Sequence, residues 1–108
     1  ALGTNNVMSV ATSGEINYPL QPAFLAVLTA ADNDVTGAAA AYTIGTNTAL
    51  TEIFDQNNDF ATNGVFTAPV TGRYLLNFCI GVSGITSAMT RATVSVVTSN
   101  RSYFAVDT

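Results

Sequence analysis

An all-β fold is what this 108-residue sequence predicts, and three features carry the prediction. Apolar side chains recur in short runs with a period of two, as in Tyr74, Leu76, Phe78 and Ile80, the spacing of strands with one face buried. Clusters of Gly, Pro, Asn, Asp and Ser punctuate the runs at short intervals. The nearest approach to a helix nucleus, the four alanines Ala38 to Ala41, falls well short of the roughly 12 residues an isolated helix needs.

The stretch from Thr51 to Ile80 anchors the reading, because there the local signals agree. Val65 to Val70 and Arg73 to Ile80 read as two strands of a hairpin joined through Pro69-Val70-Thr71-Gly72, where Pro69 removes a ladder donor and Gly72 tolerates positive φ. Upstream, Asp55-Gln56-Asn57-Asn58-Asp59 is rich in side chains that bond their own backbone, and it separates the apolar Leu50 to Phe54 segment from Phe60. Phe54, Phe66, Tyr74, Leu76 and Phe78 are the expected core.

Ala23 to Ala31, apolar except for Thr29 and bounded by Pro22 and Asp32, reads as a strand buried on both faces. Tyr42 to Thr46 alternates weakly, as a short edge strand would. After the turn-rich Ser83 to Ser87, Arg91 to Val97 reads as a half-buried strand with Val94 and Val96 inward. Thr98-Ser99-Asn100 turns the chain into a last strand, Arg101 to Val106. Residues 1–22 lack sustained alternation and carry Gly3, Gly14, Pro19 and Pro22, so they read as a stem or linker entering a β-sandwich domain over residues 23–108.

Composition narrows the function classes. Hydrophobic residues make up 48% of the chain and charged ones only 9%, where a soluble domain carries about a quarter charged. Such a surface suits a rigid extracellular β-protein whose flanks are covered by neighbouring copies. The net charge of −4, with Arg73, Arg91 and Arg101 as the only cations, provides no footprint for phosphate backbones or anionic lipid, and no apolar run approaches the roughly 20 residues of a bilayer span. Nucleic acid and membrane insertion are therefore not expected. The polar start, Ala1 to Asn6, does not read as a secretory signal. Cys79 has no second cysteine to pair with and reads as a packing residue.

With Asp55, Phe60, Phe66, Pro69, Gly72, Tyr74 and, less closely, Leu76 and Phe78 in place, the chain resembles the C1q/TNF-like jelly roll over roughly Pro22 to Thr108. Ile53-Phe54-Asp55-Gln56, Phe66 to Tyr74 and Thr98-Ser99-Asn100-Arg101 are most similar to C1q-like domains in tail-fibre proteins of aquatic bacteriophages. That resemblance implies a homotrimeric sandwich at the end of a fibre, located on a virion or otherwise extracellular. Its partners would be its own copies, the upstream shaft or other virion proteins, and a host-surface glycan or protein. It also implies further strands, which the chain does not reach before Asp107-Thr108; they are expected from a continuation of the polypeptide or, in the alternative, from another polypeptide.

Chemistry points to binding or architecture. The sequence has no His, so imidazole-based mechanisms are out, and Glu52, Asp55 and Asp59 fit turn and capping roles better than a glycosidase pair. Asp32-Asn33-Asp34-Val35-Thr36-Gly37 has the opening of a calcium loop but Thr43 where that loop needs its Glu, which leaves a looser calcium site built from two loops as an open option and no other cofactor. If the chain binds a ligand, the polar loops Asp32 to Gly37, Asp55 to Asn58 and Gly84 to Thr90 are where it does so, with Asp32, Asn33, Asp34 and Asn58 the leading candidates for matching sugar hydroxyls. A receptor-binding head competes with a purely structural trimerisation or capsid-decoration module, and a secreted C1q-like lectin is a third reading.

Overall fold

The computed structural model describes residues 7–37 and 39–107. Among them the chain is all-β, in four separate two-stranded antiparallel sheets, and divides into two compact units, Ala1–Arg73 and Tyr74–Thr108.

The first unit opens with β1 (Ser9–Val10) and β2 (Ile16–Asn17), a hairpin inside the expected stem. Its turn closes when Gly14 N–H donates to Ala11 O at 2.9 Å, with Gly14 at φ 99° in the left-handed region that residues bearing a Cβ avoid. Tyr18 to Gln21 then make a tight turn, Gln21 N–H to Tyr18 O at 3.0 Å, with Pro19 in the position that its fixed φ favours. That turn delivers the chain into β3 (Ala23–Val27), which pairs with β4 (Thr51–Gln56) from Ala23 opposite Gln56 to Val27 opposite Thr51.

The β3–β4 ladder holds one irregularity, and its register sets what faces inward. Leu25 pairs with Phe54 and Ala26 with Glu52, so Ile53 is the extra residue of a bulge. Residues directly opposite one another share a face. Phe24 and Asp55 form one such pair, both half-buried; Leu25 and Phe54 form the next, on the other face, and Phe54 is 50% exposed. Phe54 is thus not in the core of the single chain, contrary to expectation. Nor is β3 covered on both faces: Phe24 and Ala26 are half-buried, while Leu25 and Val27 are exposed.

The core of this unit is aromatic. β5 (Phe60–Ala61) and β6 (Val65–Phe66) form a hairpin with Phe60 opposite Phe66. Phe24 stacks on Phe60 at 4.3 Å between ring centroids and on Phe66 at 5.3 Å, and Phe60 is the one buried hydrophobic among the described residues, 8% exposed. Offset-stacked rings add about 0.5–1.5 kcal/mol per pair beyond area burial. The turn between β5 and β6 is Thr62-Asn63-Gly64, with Gly64 N–H donating to Ala61 O at 2.9 Å and Gly64 at φ 84°. A three-residue hairpin with glycine in the left-handed position is a favoured connection.

The hairpin expected across Pro69 to Gly72 is absent. β6 ends at Phe66, bends occupy residues 69–72, and Arg73 to Ile80 joins no ladder among the described residues. Val65 and Phe66 are already paired with Ala61 and Phe60, so they turn at Asn63-Gly64 and not downstream. An alternating apolar row selects a face, but a strand exists only with a partner backbone. Tyr74 is half-buried, whereas Leu76 and Phe78 are exposed in the single chain and Leu75 is 86% exposed. Tyr42 to Thr46 is likewise a turn and not an edge strand, and Gly45, at φ 97°, sits within it. Of the alanine tract, Ala38 lies outside the described residues; Ala40 forms an isolated bridge with Gly37.

The second unit holds β7 (Thr93–Val97) and β8 (Ser102–Asp107), paired antiparallel. As expected, Val94 and Val96 are the inward residues of β7. The Thr98 hydroxyl organises the turn: it donates to Arg101 O at 2.9 Å and accepts from the backbone N–H groups of Asn100 and Arg101 at 3.3 and 3.2 Å. The Arg101 guanidinium lies 5.9 Å from the centre of the Tyr103 ring.

Candidate functional site

The antiparallel register of β3 and β4 gives the first unit two ends, about 16 Å apart for a five-residue strand. At one end, β3 begins and β4 runs into the Asn57-Asn58 turn. The N-terminal lead-in is fastened here. The Gln56 side-chain amide donates to Tyr18 O at 2.8 Å and to Gln21 O at 2.5 Å, and Asn57 Nδ2 donates to Gln21 O at 3.4 Å. Asn57 and Asn58 both adopt left-handed φ, 75° and 58°, which asparagine tolerates better than most residues. Asp55 holds the turn from within, its carboxylate accepting Asp59 N–H at 3.2 Å and Phe60 N–H at 3.0 Å, the capping role expected of it. Asp59 does not act in the same way: its Oδ2 is buried with no hydrogen-bond partner among the described residues.

At the opposite end three loops converge. The Asp32 carboxylate accepts hydrogen bonds from Thr48 Oγ1 and the Tyr42 hydroxyl, which draws both ends of the long β3–β4 connection together. These two donors, Thr48 foremost, hold the Asp32 carboxyl below its ordinary range. Thr46 closes the next turn, its hydroxyl donating to Thr43 O at 2.6 Å. Leu50 N–H donates to Thr62 O at 2.7 Å, attaching the β5–β6 turn to the same end. Two glycines interlock there. A Cβ on Gly45 would lie 2.6 Å from the carbonyl carbon of Asn63, and one on Gly64 would collide with the Ile44 carbonyl oxygen. Only backbone without side chains permits that approach.

The four candidate ligand residues are therefore divided. Asp32 is half-buried and its oxygens are occupied by Thr48 and Tyr42. Asn33 and Asp34 are exposed beside it, Asp34 with φ 56°, and Asn33 Nδ2 makes only a long 3.5 Å approach to Ala31 O. Asn58 stands at the other end, by the lead-in. Gly84 to Thr90 belongs to the second unit, where Met89 N–H donates to Thr86 O at 3.0 Å. Among the described residues no three of His, Cys, Asp and Glu gather to hold a metal ion, and no helix is long and apolar enough to cross a membrane.

Tyr42 and Thr48 were not legible as part of this end, since their bonds to Asp32 span ten and sixteen residues. The Asn63-Gly64 turn was also missed, although a signal for it exists: Asn-Gly between apolar residues is a strong short-range hairpin marker. The arrangement gathers backbone carbonyls with amide, carboxylate and hydroxyl groups at one end of the unit, chemistry that can donate and accept hydrogen bonds. Comparison with protein-family models, with curated proteins and with solved structures finds no match.

Proposed function

We propose that this chain is a C1q/TNF-like head domain of a phage fibre, assembled as a homotrimer and engaging a glycan or protein of the host surface. The observation that carries this reading is the polarity of the first unit. The lead-in from the expected stem is bonded through Tyr18 and Gln21 to one end of the β3–β4 ladder, and the Asp32–Asp34, Gly45 and Asn63 loops form the other. A fibre head meets its receptor with the loops farthest from its shaft. Asn33 and Asp34 are the exposed members of that end and take the contact role, while Asp32 positions their loop. The exposed Ile53, Phe54, Tyr103 and Phe104 support assembly, because apolar area of this kind is covered in the working oligomer.

The test is a glycan array and a host-cell binding assay on the intact protein, each with and without chelator, with light scattering to establish the oligomer. The wild type binds and the Asn33→Ala, Asp34→Ala double variant does not, both as trimers. Binding unchanged by the double substitution overturns the placement; a trimer that binds no host cell favours a structural trimerisation module; a stable monomer overturns the assembly.

A further inference from the structure

Asn63-Gly64 is the single Asn-Gly pair in the chain, and it sits in an exposed hairpin turn. Next to glycine, an asparagine side chain is open to attack by the following backbone nitrogen, because no Cβ shields that nitrogen. We propose that Asn63 is a site of spontaneous deamidation whose rate is set by the interlock between the Gly45 and Gly64 turns. In this reaction the Gly64 nitrogen loses its proton to solvent and bonds to Cγ of Asn63, the Cγ–Nδ2 bond breaks, and ammonia leaves with a proton from water. Water then opens the resulting five-membered imide at one carbonyl or the other, giving aspartate or isoaspartate. No oxidant or reductant takes part.

Three contacts hold the reactants apart in the folded chain. The Gly64 N–H is committed to Ala61 O at 2.9 Å, so the nucleophile is a hydrogen-bonded amide. Asn63 Oδ1 accepts Val65 N–H at 3.3 Å, which orients the carboxamide past Gly64. No room remains for a Cβ between Gly64 and Ile44 O or between Gly45 and the Asn63 carbonyl, so the turn cannot swing into the geometry of ring closure without opening the interlock. The product does not fit the same space. Isoaspartate carries the main chain through the side-chain methylene, lengthening the backbone where the two turns lie too close to admit even a Cβ. It also adds a negative charge to a chain already at −4. Modification therefore opens the turn that had restrained it.

Peptide mapping by mass spectrometry, during incubation of the whole protein at mildly alkaline pH, tests this. The expected result is conversion of Asn63 in preference to every other asparagine, several-fold slower in the native protein than in the same chain unfolded in urea. Gly45→Ala, which pushes a Cβ into the Asn63 carbonyl, raises the native rate toward the unfolded one. Hydrogen exchange at Gly64, read on each sample, separates a local opening of the turn from global unfolding of that variant. Equal rates in the native and unfolded wild type overturn the proposal, as does preferential conversion at another asparagine.

Discussion

The stretch from Phe60 to Phe66 is interrupted by Thr62-Asn63-Gly64 and the stretch from Tyr74 to Ile80 carries the longer apolar alternation, yet of the two only Phe60 to Phe66 is built into a sheet. Phe60 and Phe66 face one another across a ladder and stack on Phe24; Leu76, Phe78 and Ile80 keep the alternation with no ladder among the described residues. What separates them is the turn. Asn63-Gly64 supplies a left-handed glycine in a connection three residues long, so the two halves of the first stretch meet at once. Pro69 to Gly72 supplies bends but no return strand, and the alternating row beyond it joins no ladder among the described residues.

The largest expected effect tests that contrast directly. Phe60→Ala removes the most buried ring of the aromatic cluster and costs about 3–5 kcal/mol, a large part of the stability of a small domain. Phe78→Ala, at a ring that is 46% exposed, costs less than about 1 kcal/mol in the isolated chain. Urea denaturation of both variants, on samples that light scattering shows to be monomeric, reads the difference. Repeating it under assembling conditions sharpens it: if neighbouring copies cover Phe78, its cost rises toward that of Phe60 only there. Equal costs in the monomer would show that the Tyr74 to Ile80 row is packed after all.

Glycine substitutions separate the two units next. Gly64 and Gly84 both have left-handed φ, 84° and 73°, so alanine costs each about 1–2 kcal/mol in backbone terms. Only Gly64 also meets the Ile44 carbonyl oxygen, whereas nothing lies within 4 Å of a Cβ at Gly84. Gly64→Ala should therefore be clearly the more damaging, by melting temperature and by loss of hydrogen-exchange protection at Leu50 N–H, which the β5–β6 turn accepts. Similar shifts for the two would mean that the turns do not interlock.

How much of this was readable follows from the range of each interaction. The all-β character, the Thr98 turn and the inward Val94 and Val96 are set by neighbours within a few residues, and the sequence displays them. The Asp55 cap spans four and five residues and was also visible. The exposure of Phe54 was not, because it depends on the register with β3 that sets Phe54 opposite Leu25, away from the Phe24 face, and a one-residue slip carries a side chain to the opposite face. Of the candidate site, the Asp32 loop was visible as polar sequence, but its position opposite the lead-in rests on Gln56 reaching back to Tyr18 and Gln21 across more than thirty residues. No local pattern encodes such a contact.

The two carboxylates of the β4–β5 turn offer a finer comparison. Asp55→Ala leaves the Asp59 and Phe60 amides without acceptors in a partly buried turn and costs about 1–3 kcal/mol. Asp59→Ala removes a buried oxygen that has no partner among the described residues, so it should be neutral or mildly stabilising by the same denaturation measurement. A loss at Asp59 matching that at Asp55 would mean that Asp59 is held by a donor in solution.

The smallest effect is expected at Asp32, and its sign is fixed. Hydrogen bonds from Thr48 and then Tyr42 favour the ionised carboxylate, so its pKa in the folded chain lies below the ordinary value of 3.8. Where the unfolded state binds the proton more readily, stability rises with pH. The contribution is thus fully present above the unfolded value and is lost as pH falls from there through the lower folded one. Since the pair of donors sits near solvent, the amplitude is small. Tyr42→Phe removes one donor, so the folded pKa of Asp32 should move up toward 3.8 and the acid-side slope of stability against pH should flatten. Carboxyl carbon chemical shifts followed through an acid titration report that movement residue by residue. An Asp32 titration that Tyr42→Phe leaves unmoved would remove the tyrosine from the loop's closure and leave Thr48 alone to hold Asn33 and Asp34 in place.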